Sequence, residues 1–349
     1  MKPLSHTDAY QVLWLQLADE GRQSVLLGDR ALNARMAVLP FMVGEKFPNV
    51  YFEFPLAGDP FLDVTVLYAK VAPGTRVESE AAVGTDGAFD WYAVEQPKHT
   101  DISFGFELDT SNPELPRAAV HFQPRASIEL VEPFCEAIGE QEKGRLYLAC
   151  AERMPKGWDL SFFGMFRGRP DSPLRACGYL NEGEKVACAN DPGRLAAVFD
   201  EIGFKAYDAT MLEQISVLMG MAPGGCDFQF DVLPDGSLTD MFAIDAQFDI
   251  EQPQVVRGLF KDGPIAVLFG KLQEWGIADE RWKLGADIAF ARALPVELDD
   301  GSVGRYSFTL FPQWTKVRWR NGTLDPAKLY CYASAGILDK QEEETSSER

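Results

Sequence analysis

The sequence predicts an α+β fold in which repeated α-β-β-α units close an antiparallel β-barrel that is surrounded by helices. Three observations support this prediction. Strand-like segments come in pairs, a helical segment usually separates one pair from the next, and many strands alternate between an apolar and a polar face. Strands joined by short turns pair antiparallel, unlike the parallel strands of a βαβ alternation. Closure into a barrel would remove the sheet edges and bury the apolar faces beneath helices.

The first half of the chain establishes this order of elements. Its patterns predict helices over 8–19 and on to about residue 39, strands over 48–58 and 59–71, a helix over 89–96, strands over 101–109 and 117–125, and a helix over 127–141. Turn-forming residues divide each pair of strands, at 58–60 in the first pair and at 111–116 in the second. Both pairs are therefore expected to be antiparallel.

The second half continues the rhythm. Its patterns predict strands over 144–155, 160–169 and 172–181, a helix over 191–204, strands over 224–232 and 238–250, a helical passage over 253–276 interrupted at 263–264, and strands over 285–298, 304–313, 315–322 and 327–334. Two local signals are strong. Asp191 is expected to cap the helix that Pro192 begins and Gly203 ends, and a Pro-Asp-Gly turn at 233–237 joins a hairpin.

Composition narrows the functional classes. No linker rich in Pro, Gly or Ser divides the chain, so residues 1–338 are interpreted as one αββα-barrel-like domain and the acidic residues 339–349 as a disordered tail. The formal net charge of −20 argues against a nucleic-acid partner. Neither a signal-peptide pattern nor an apolar run of about 20 residues is present, so we expect a cytoplasmic protein without a membrane partner. The six cysteines form no metal-binding motif and are expected to be reduced core residues.

The polar faces of several predicted strands carry cations and phenols together. At period two, the segment KLYCYAS (328–334) places Lys328, Tyr330 and Tyr332 on one face. Similar faces combine Arg145 with Tyr147, Arg175 with Tyr179, and Lys316 with Arg318 and Arg320. Cations that converge on one site bind a diphosphate or a carboxylate, and tyrosines between them can donate hydrogen bonds or shield a cation. Spacing alone also allows these faces to be exposed to solvent, and both interpretations stay open at this point.

The chain resembles the soluble aromatic prenyltransferases with the αββα barrel. The resemblance rests on the helix–hairpin rhythm over 48–333 and on the strands that combine Lys or Arg with Tyr. The segments KLYCYAS, RLYLAC and RACGY resemble that family's diphosphate-binding and tyrosine-shield strands, and VYFEFPLAGDPFLDVTVLY resembles its early hairpin. A DDxxD motif is absent from the sequence, as this family implies.

The resemblance implies transfer of a prenyl group from an allylic diphosphate to an aromatic acceptor: an indole, a phenol or an aromatic peptide side chain. The implied diphosphate ligands are Arg145, Arg175, Lys316, Arg318 and Lys328, and the implied cation shield is Tyr147, Tyr179, Tyr330 and Tyr332. Glu53 is the implied acid that holds the acceptor and removes its proton, with Asp227 and Asp245 as rivals. No cofactor is required and no metal site in the protein is implied, although some members of the family need Mg²⁺ and others do not.

A second interpretation stays open beside the enzyme. A non-catalytic barrel that binds an anionic amphiphile, or an accessory protein of a biosynthetic pathway, would keep the basic strand faces but would lack a base placed beside the acceptor. In both interpretations the partners are small molecules. The sequence carries no GxGxxG, Walker A, HExxH or GxSxG motif that favours a different class of enzyme.

Overall fold

The structure is a computed structural model that describes residues 2–18, 22–28, 31–110, 117–169, 171–250, 252–298 and 300–338. The predicted disordered tail 339–349 and the turn 111–116 lie outside the described residues. The α-helices are α1 His6–Leu17, α2 Gln23–Leu26, α3 Ala31–Val38, α4 Asp86–Glu95, α5 Val131–Ala137, α6 Gln141–Ala151, α7 Glu182–Asn190, α8 Pro192–Ile202, α9 Ala209–Met221, α10 Val256–Asp262, α11 Pro264–Glu274 and α12 Leu284–Ile288. The strands are β1 Asn49–Pro55, β2 Asp63–Tyr68, β3 Ser103–Leu108, β4 Ala119–Gln123, β5 Trp158–Met165, β6 Leu174–Leu180, β7 Cys226–Val232, β8 Leu238–Gln247, β9 Phe290–Glu297, β10 Val303–Arg320, β11 Thr323–Leu324 and β12 Lys328–Ile337.

Ten of these strands close a barrel. Their order is β10-β12-β1-β2-β3-β4-β5-β6-β7-β8, and β8 pairs with β10 to complete the ring. Each pairing in the ring is antiparallel. β9 pairs with the first half of β10, and β11 pairs with its end. The predicted antiparallel barrel with helices around it is confirmed.

The two faces of the strands explain the layers. Leu329, Cys331 and Ala333 have no exposed surface, because they lie on the outer face of β12 beneath helices. Tyr330, between them in sequence, points the other way and lines a cavity inside the barrel. The same alternation leaves apolar side chains outside the ring and mostly polar ones in the lumen. The polar face of KLYCYAS therefore looks inward.

The element with the best sequence signals folds as expected. The Asp191 side chain accepts a hydrogen bond from the Gly193 amide at 2.8 Å, and Pro192 begins α8. Gly203 ends the helix with φ of 84°, a left-handed conformation that costs glycine little. The interruption predicted at 263–264 is also found, since it separates α10 from α11.

The prediction of a strand over 144–155 is wrong, because these residues belong mostly to α6. Gly144, Tyr147 and Cys150 are its buried residues, spaced three apart as on one face of a helix. The segment QEKGRLYLACA holds good helix formers and no β-branched residue, which favours the helix. α6 packs outside the barrel against β5 and β6. Its alternation over RLYLAC is too short to distinguish a period of two from a period of 3.6.

Smaller differences concern two element boundaries and two helices. The predicted strands 304–313 and 315–322 are one strand, β10, with a bulge between Pro312 and Trp314. Residues 284–288 form α12 before β9 begins at Phe290, so the predicted strand 285–298 starts too early. Helices α7 and α9 were not predicted. Both pack beside α8, which shows that tertiary contacts support them.

Replacing Tyr147 by phenylalanine is expected to raise the free energy of unfolding by roughly 1 kcal/mol. The Tyr147 ring is fully buried 4.7 Å from the Phe163 ring, and its hydroxyl has no hydrogen-bond partner among the described residues. Removing an unsatisfied buried hydroxyl relieves a desolvation cost without opening a cavity. Urea denaturation measures the change. A clear loss of stability would show that the hydroxyl has a partner that matters.

Candidate functional site

Three of the cavities lined by the described residues follow one another along the barrel. The central cavity has a volume of ≈ 230 Å³, enough for roughly eight water molecules at about 30 Å³ each. A second cavity of ≈ 440 Å³ lies at the end of the barrel where β6 and β12 begin and β10 ends; we call it the basic mouth. A third of ≈ 760 Å³ lies at the opposite end, the far mouth. The central cavity lies between two openings.

The basic mouth collects positive side chains from two strands and one loop. Arg318 and Arg320 come from the end of β10, Lys328 begins β12, and Arg169 follows β5. Carboxylates stand among them, and Arg318 Nε lies 2.5 Å from Asp325 Oδ2. The cations therefore do not form a bare positive surface.

Two cations deeper in the lumen are also neutralised by acids. Arg175 makes two hydrogen bonds to Asp231, at 2.8 and 3.1 Å. Burial alone would lower the pKa of Arg175, but the Asp231 charge and hydrogen bond raise it above its usual value. Lys316 Nζ lies 3.9 Å from Asp245 Oδ1, across the β8–β10 seam that closes the barrel.

Lys328 is held by two acids. Its ammonium group donates to Glu53 and lies 3.2 Å from Asp63 Oδ2. Burial would lower the pKa of Lys328, but these two carboxylates raise it. Burial likewise would raise the pKa of Glu53, but the charges of Lys328 and Lys316 hold it below its usual value. At neutral pH the Lys328–Glu53 pair is therefore fully ionised.

Aromatic rings line one side of the central cavity. Trp314 stacks on Tyr330 with ring centroids 5.0 Å apart, and Tyr51 lies 5.1 Å from Trp314. We call these three residues the aromatic wall; they come from the neighbouring strands β10, β12 and β1. Lys316 Nζ lies 4.6 Å from the centroid of the Tyr330 ring. The wall thus already holds a cation against an aromatic face.

Two carboxylates on β7 and β8 also line the central cavity. Asp227 and Asp245 stand opposite each other in the strand register. Burial and the neighbouring Asp245 raise the pKa of Asp227 to about 7. Burial raises the pKa of Asp245 to about 6, although Lys316 opposes the shift. Groups with such values can exchange protons near neutral pH.

The structure brings together most, but not all, of the predicted site residues. Arg175, Lys316 and Tyr330 line the central cavity, Arg318 and Lys328 line the basic mouth, and Glu53 binds Lys328 from the lumen side of β1. Glu53 is not among the residues that line the central cavity, whereas its rivals Asp227 and Asp245 are. Glu53 nonetheless stands opposite the cavity-lining Tyr330 in the strand register, and its role as the acid beside the acceptor stays a prediction.

Four predicted residues lie elsewhere. Arg145 is exposed on α6 and Tyr147 is buried in the helix layer, so neither reaches the lumen. Tyr179 is 48% exposed at the far mouth, since four residues of strand, about 13 Å, separate it from Arg175. Tyr332 donates to Asn49 Oδ1 at 2.9 Å and contacts Tyr51, one step beyond the aromatic wall.

Sequence reasoning missed several residues that line the central cavity. Tyr51 lies two positions before Glu53 and Trp314 two before Lys316, so strand alternation could have found both. His121 and Glu107 also line the cavity, from β4 and β3. No cation-plus-tyrosine pattern marked those two strands.

Across the described ranges, no group of three or more His, Cys, Asp or Glu side chains is arranged to hold a metal ion. Within the same ranges, no helix combines the length and the apolar character that crossing a bilayer requires.

Comparison with known proteins gives matches at the level of structure alone. No protein-family model and no curated protein matches the sequence. The 5-dimethylallyltryptophan synthase from Streptomyces coelicolor matches with 12% identity and a TM-score of 0.50, over 98% of this chain and 99% of that chain. The prenyltransferase PriB matches with a TM-score of 0.51 over 95% of this chain and 96% of that chain, with 12% identity in its binary complex with product diphosphate and 11% in its apo form. The chain therefore has the barrel fold of these aromatic prenyltransferases.

Proposed function

We propose that the protein transfers a prenyl group from an allylic diphosphate to an aromatic acceptor inside the barrel. One observation carries the proposal: Lys316, a lumen cation, stands 4.6 Å over the Tyr330 ring where the aromatic wall meets the path to the basic mouth. Prenyl transfer needs cations that bind the diphosphate next to aromatic rings that stabilise the carbocation. The fold agrees, since structural neighbours include a dimethylallyltryptophan synthase and a prenyltransferase bound to diphosphate.

The diphosphate would bind between the central cavity and the basic mouth. Lys316, Arg175, Lys328 and Arg318 supply charge-assisted hydrogen bonds there. Their present carboxylate partners would be partly exchanged for phosphate oxygens. Stabilising negative charge on the leaving diphosphate favours cleavage of the bond between the allylic carbon and oxygen.

The allylic cation would lie against the aromatic wall. The faces of Tyr330, Trp314 and Tyr51 attract a cation and keep water from it. An acceptor ring stacked in the central cavity would meet the cation there. Asp227 and Asp245 would accept hydrogen bonds from an N–H or O–H group on the acceptor and so orient it.

The non-catalytic barrel is the second candidate, and one observation favours it. Arg175, Lys316 and Lys328 each have a carboxylate partner in the lumen, so the resting site carries little surplus positive charge. A carrier of a weakly charged amphiphile would suit such a lumen. In an enzyme, by contrast, these cations would exchange their carboxylate partners for phosphate oxygens when the donor binds during turnover.

Turnover distinguishes the two candidates. The protein is incubated with dimethylallyl or geranyl diphosphate and with indoles, phenols and aromatic peptides, and products are analysed by mass spectrometry. The enzyme adds the mass of one prenyl group to at least one acceptor and releases diphosphate. Binding of the donor without product from any acceptor supports the carrier instead. The same reactions with EDTA in place of Mg²⁺ show whether a metal takes part.

Replacing Lys316 by alanine is expected to weaken binding of inorganic pyrophosphate roughly 10- to 100-fold, the loss of one charge-assisted interaction. Isothermal titration calorimetry measures the affinity. Arg145→Ala is the matched control, because Arg145 is an exposed cation outside the barrel. Equal affinities of the two variants would place the anion somewhere other than the lumen.

A further inference from the structure

His121 and Glu107 form a buried pair in the lumen that the proposed donor site does not use. His121 Nε2 lies 3.1 Å from Glu107 Oε2, and Arg169 Nη2 lies 3.5 Å from the other carboxylate oxygen. His121 is only 7% exposed. Both members of the pair line the central cavity together with the aromatic wall.

The carboxylate determines which imidazole nitrogen carries the proton. Burial would raise the pKa of Glu107, but the hydrogen bond with His121 and the charges of Arg169 and Arg175 hold it well below its usual range. An ionised carboxylate only accepts hydrogen bonds, so His121 Nε2 donates. In the neutral imidazole, Nδ1 then carries the free lone pair.

A glycine on the next strand makes room for this ring. Gly164 on β5 stands opposite His121 in the register. A Cβ atom at position 164 would lie 2.8 Å from His121 Cε1 and 3.1 Å from Nδ1. Since it would also lie 3.2 Å from Nε2, any side chain there would displace the imidazole at its Cε1 edge, between the two nitrogens.

The position of β4 in the ring of strands determines what His121 and Glu107 face across the lumen. β4 is the fifth strand from β10 either way around the ten-stranded barrel, so His121 faces Trp314 and Lys316 across the lumen. When a cation adds to one face of an aromatic ring, the hydrogen on the attacked carbon moves out towards the other face. A cation held against the aromatic wall would thus push that hydrogen towards β4.

We propose that His121, oriented by Glu107, is the base that removes the ring proton of the alkylated acceptor. This inference rests on the proposed function. The bond from the allylic carbon to oxygen breaks and its electron pair leaves with diphosphate. The ring π electrons form the new carbon–carbon bond. The carbon–hydrogen electron pair then restores the aromatic ring as the proton passes to Nδ1, and the imidazolium is paired with Glu107.

The test compares the rates of alkylation of unlabelled and ring-deuterated indole, with dimethylallyl diphosphate as donor. Phenol takes the place of indole if phenol is the acceptor that the wild type alkylates. His121→Gln keeps a donor for Glu107 but has no base. We expect alkylation to fall about 100-fold or more, with a primary deuterium isotope effect that the wild type lacks and with continued release of prenyl alcohol and diphosphate. Gly164→Ala should show the same isotope effect with a smaller loss, and it guards against a folding defect in the first variant. His99→Gln is the matched control, since His99 also neighbours a glutamate but lies outside the barrel.

Each outcome is decisive. His121→Gln that alkylates at the wild-type rate, or that slows without an isotope effect while Gly164→Ala shows none either, overturns the assignment of the base and leaves prenyl transfer standing. A wild type that forms no alkylated product overturns the proposed function itself, and the base with it. Recovery of His121→Gly by added imidazole supports the assignment independently.

Discussion

Arg175→Ala is expected to lower the free energy of unfolding by about 3–5 kcal/mol, one of the two largest effects that we predict. The substitution leaves Asp231, which is 7% exposed, without its bidentate partner. It also removes a guanidinium that lies 4.3 Å from the Phe166 ring. An uncompensated carboxylate in the lumen costs more than the pair contributes, because the desolvation penalty then has no opposing attraction. Urea denaturation followed by tryptophan fluorescence measures the change.

A double substitution separates the ion pair from the packing around it. Arg175→Met combined with Asp231→Leu removes both charges and keeps similar volumes, so we expect most of the lost stability to return. Both variants should bind pyrophosphate weakly, since both lack Arg175. A double variant as unstable as Arg175→Ala would mean that the charges themselves hold the barrel together.

Asp227→Asn is expected to stabilise the protein by about 2–4 kcal/mol at pH 8 and to leave it nearly unchanged at pH 4. The pKa of Asp227 is about 7 in the folded protein, against an ordinary value of 3.8. Between pH 4 and pH 7 the folded chain keeps a proton that the unfolded chain has lost. Stability of the wild type therefore falls as pH rises through this window, and the deficit is complete above pH 7. Asparagine cannot ionise and still accepts the hydrogen bond that Gln247 donates to Asp227.

Thermal or urea denaturation at a series of pH values between 4 and 8 measures this difference. Asp262→Asn is the matched control, because it makes the same change of residue type at a side chain that is 81% exposed. If Asp227→Asn were instead less stable than the wild type at pH 8, Asp227 would be ionised and held by a cation in the folded protein.

The fold could be predicted to a large extent because its signals are local. Hairpin turns, two-faced strands and the cap at Asp191 each lie within a few residues, and the order of elements then implies a barrel. RLYLAC shows the limit of this reasoning. The alternation of its six residues fits a strand and a helix alike, and the helix is favoured by the composition of the wider segment and by packing against β5 and β6.

The candidate site was harder to predict because it depends on contacts between distant segments. Lys328 pairs with Glu53 across 275 positions of sequence, and Lys316 meets Asp245 only where the barrel closes. The alternation of each strand correctly indicated which side chains share a face. It could not indicate the height of each residue in the lumen, so the position of Tyr179 at the far mouth was not foreseen. It also could not indicate that acids on neighbouring strands would neutralise the cations.

The most direct test of prenyl transfer in the lumen is a crystal structure of the protein with an unreactive thiolodiphosphate analogue of dimethylallyl diphosphate. We predict diphosphate oxygens within hydrogen-bond distance of Lys316 and of at least one other lumen cation, and the dimethylallyl group against Tyr330 and Trp314. A diphosphate bound outside the barrel, or a dimethylallyl group at the far mouth beside Tyr179, would contradict the proposal that the lumen is where prenyl transfer takes place.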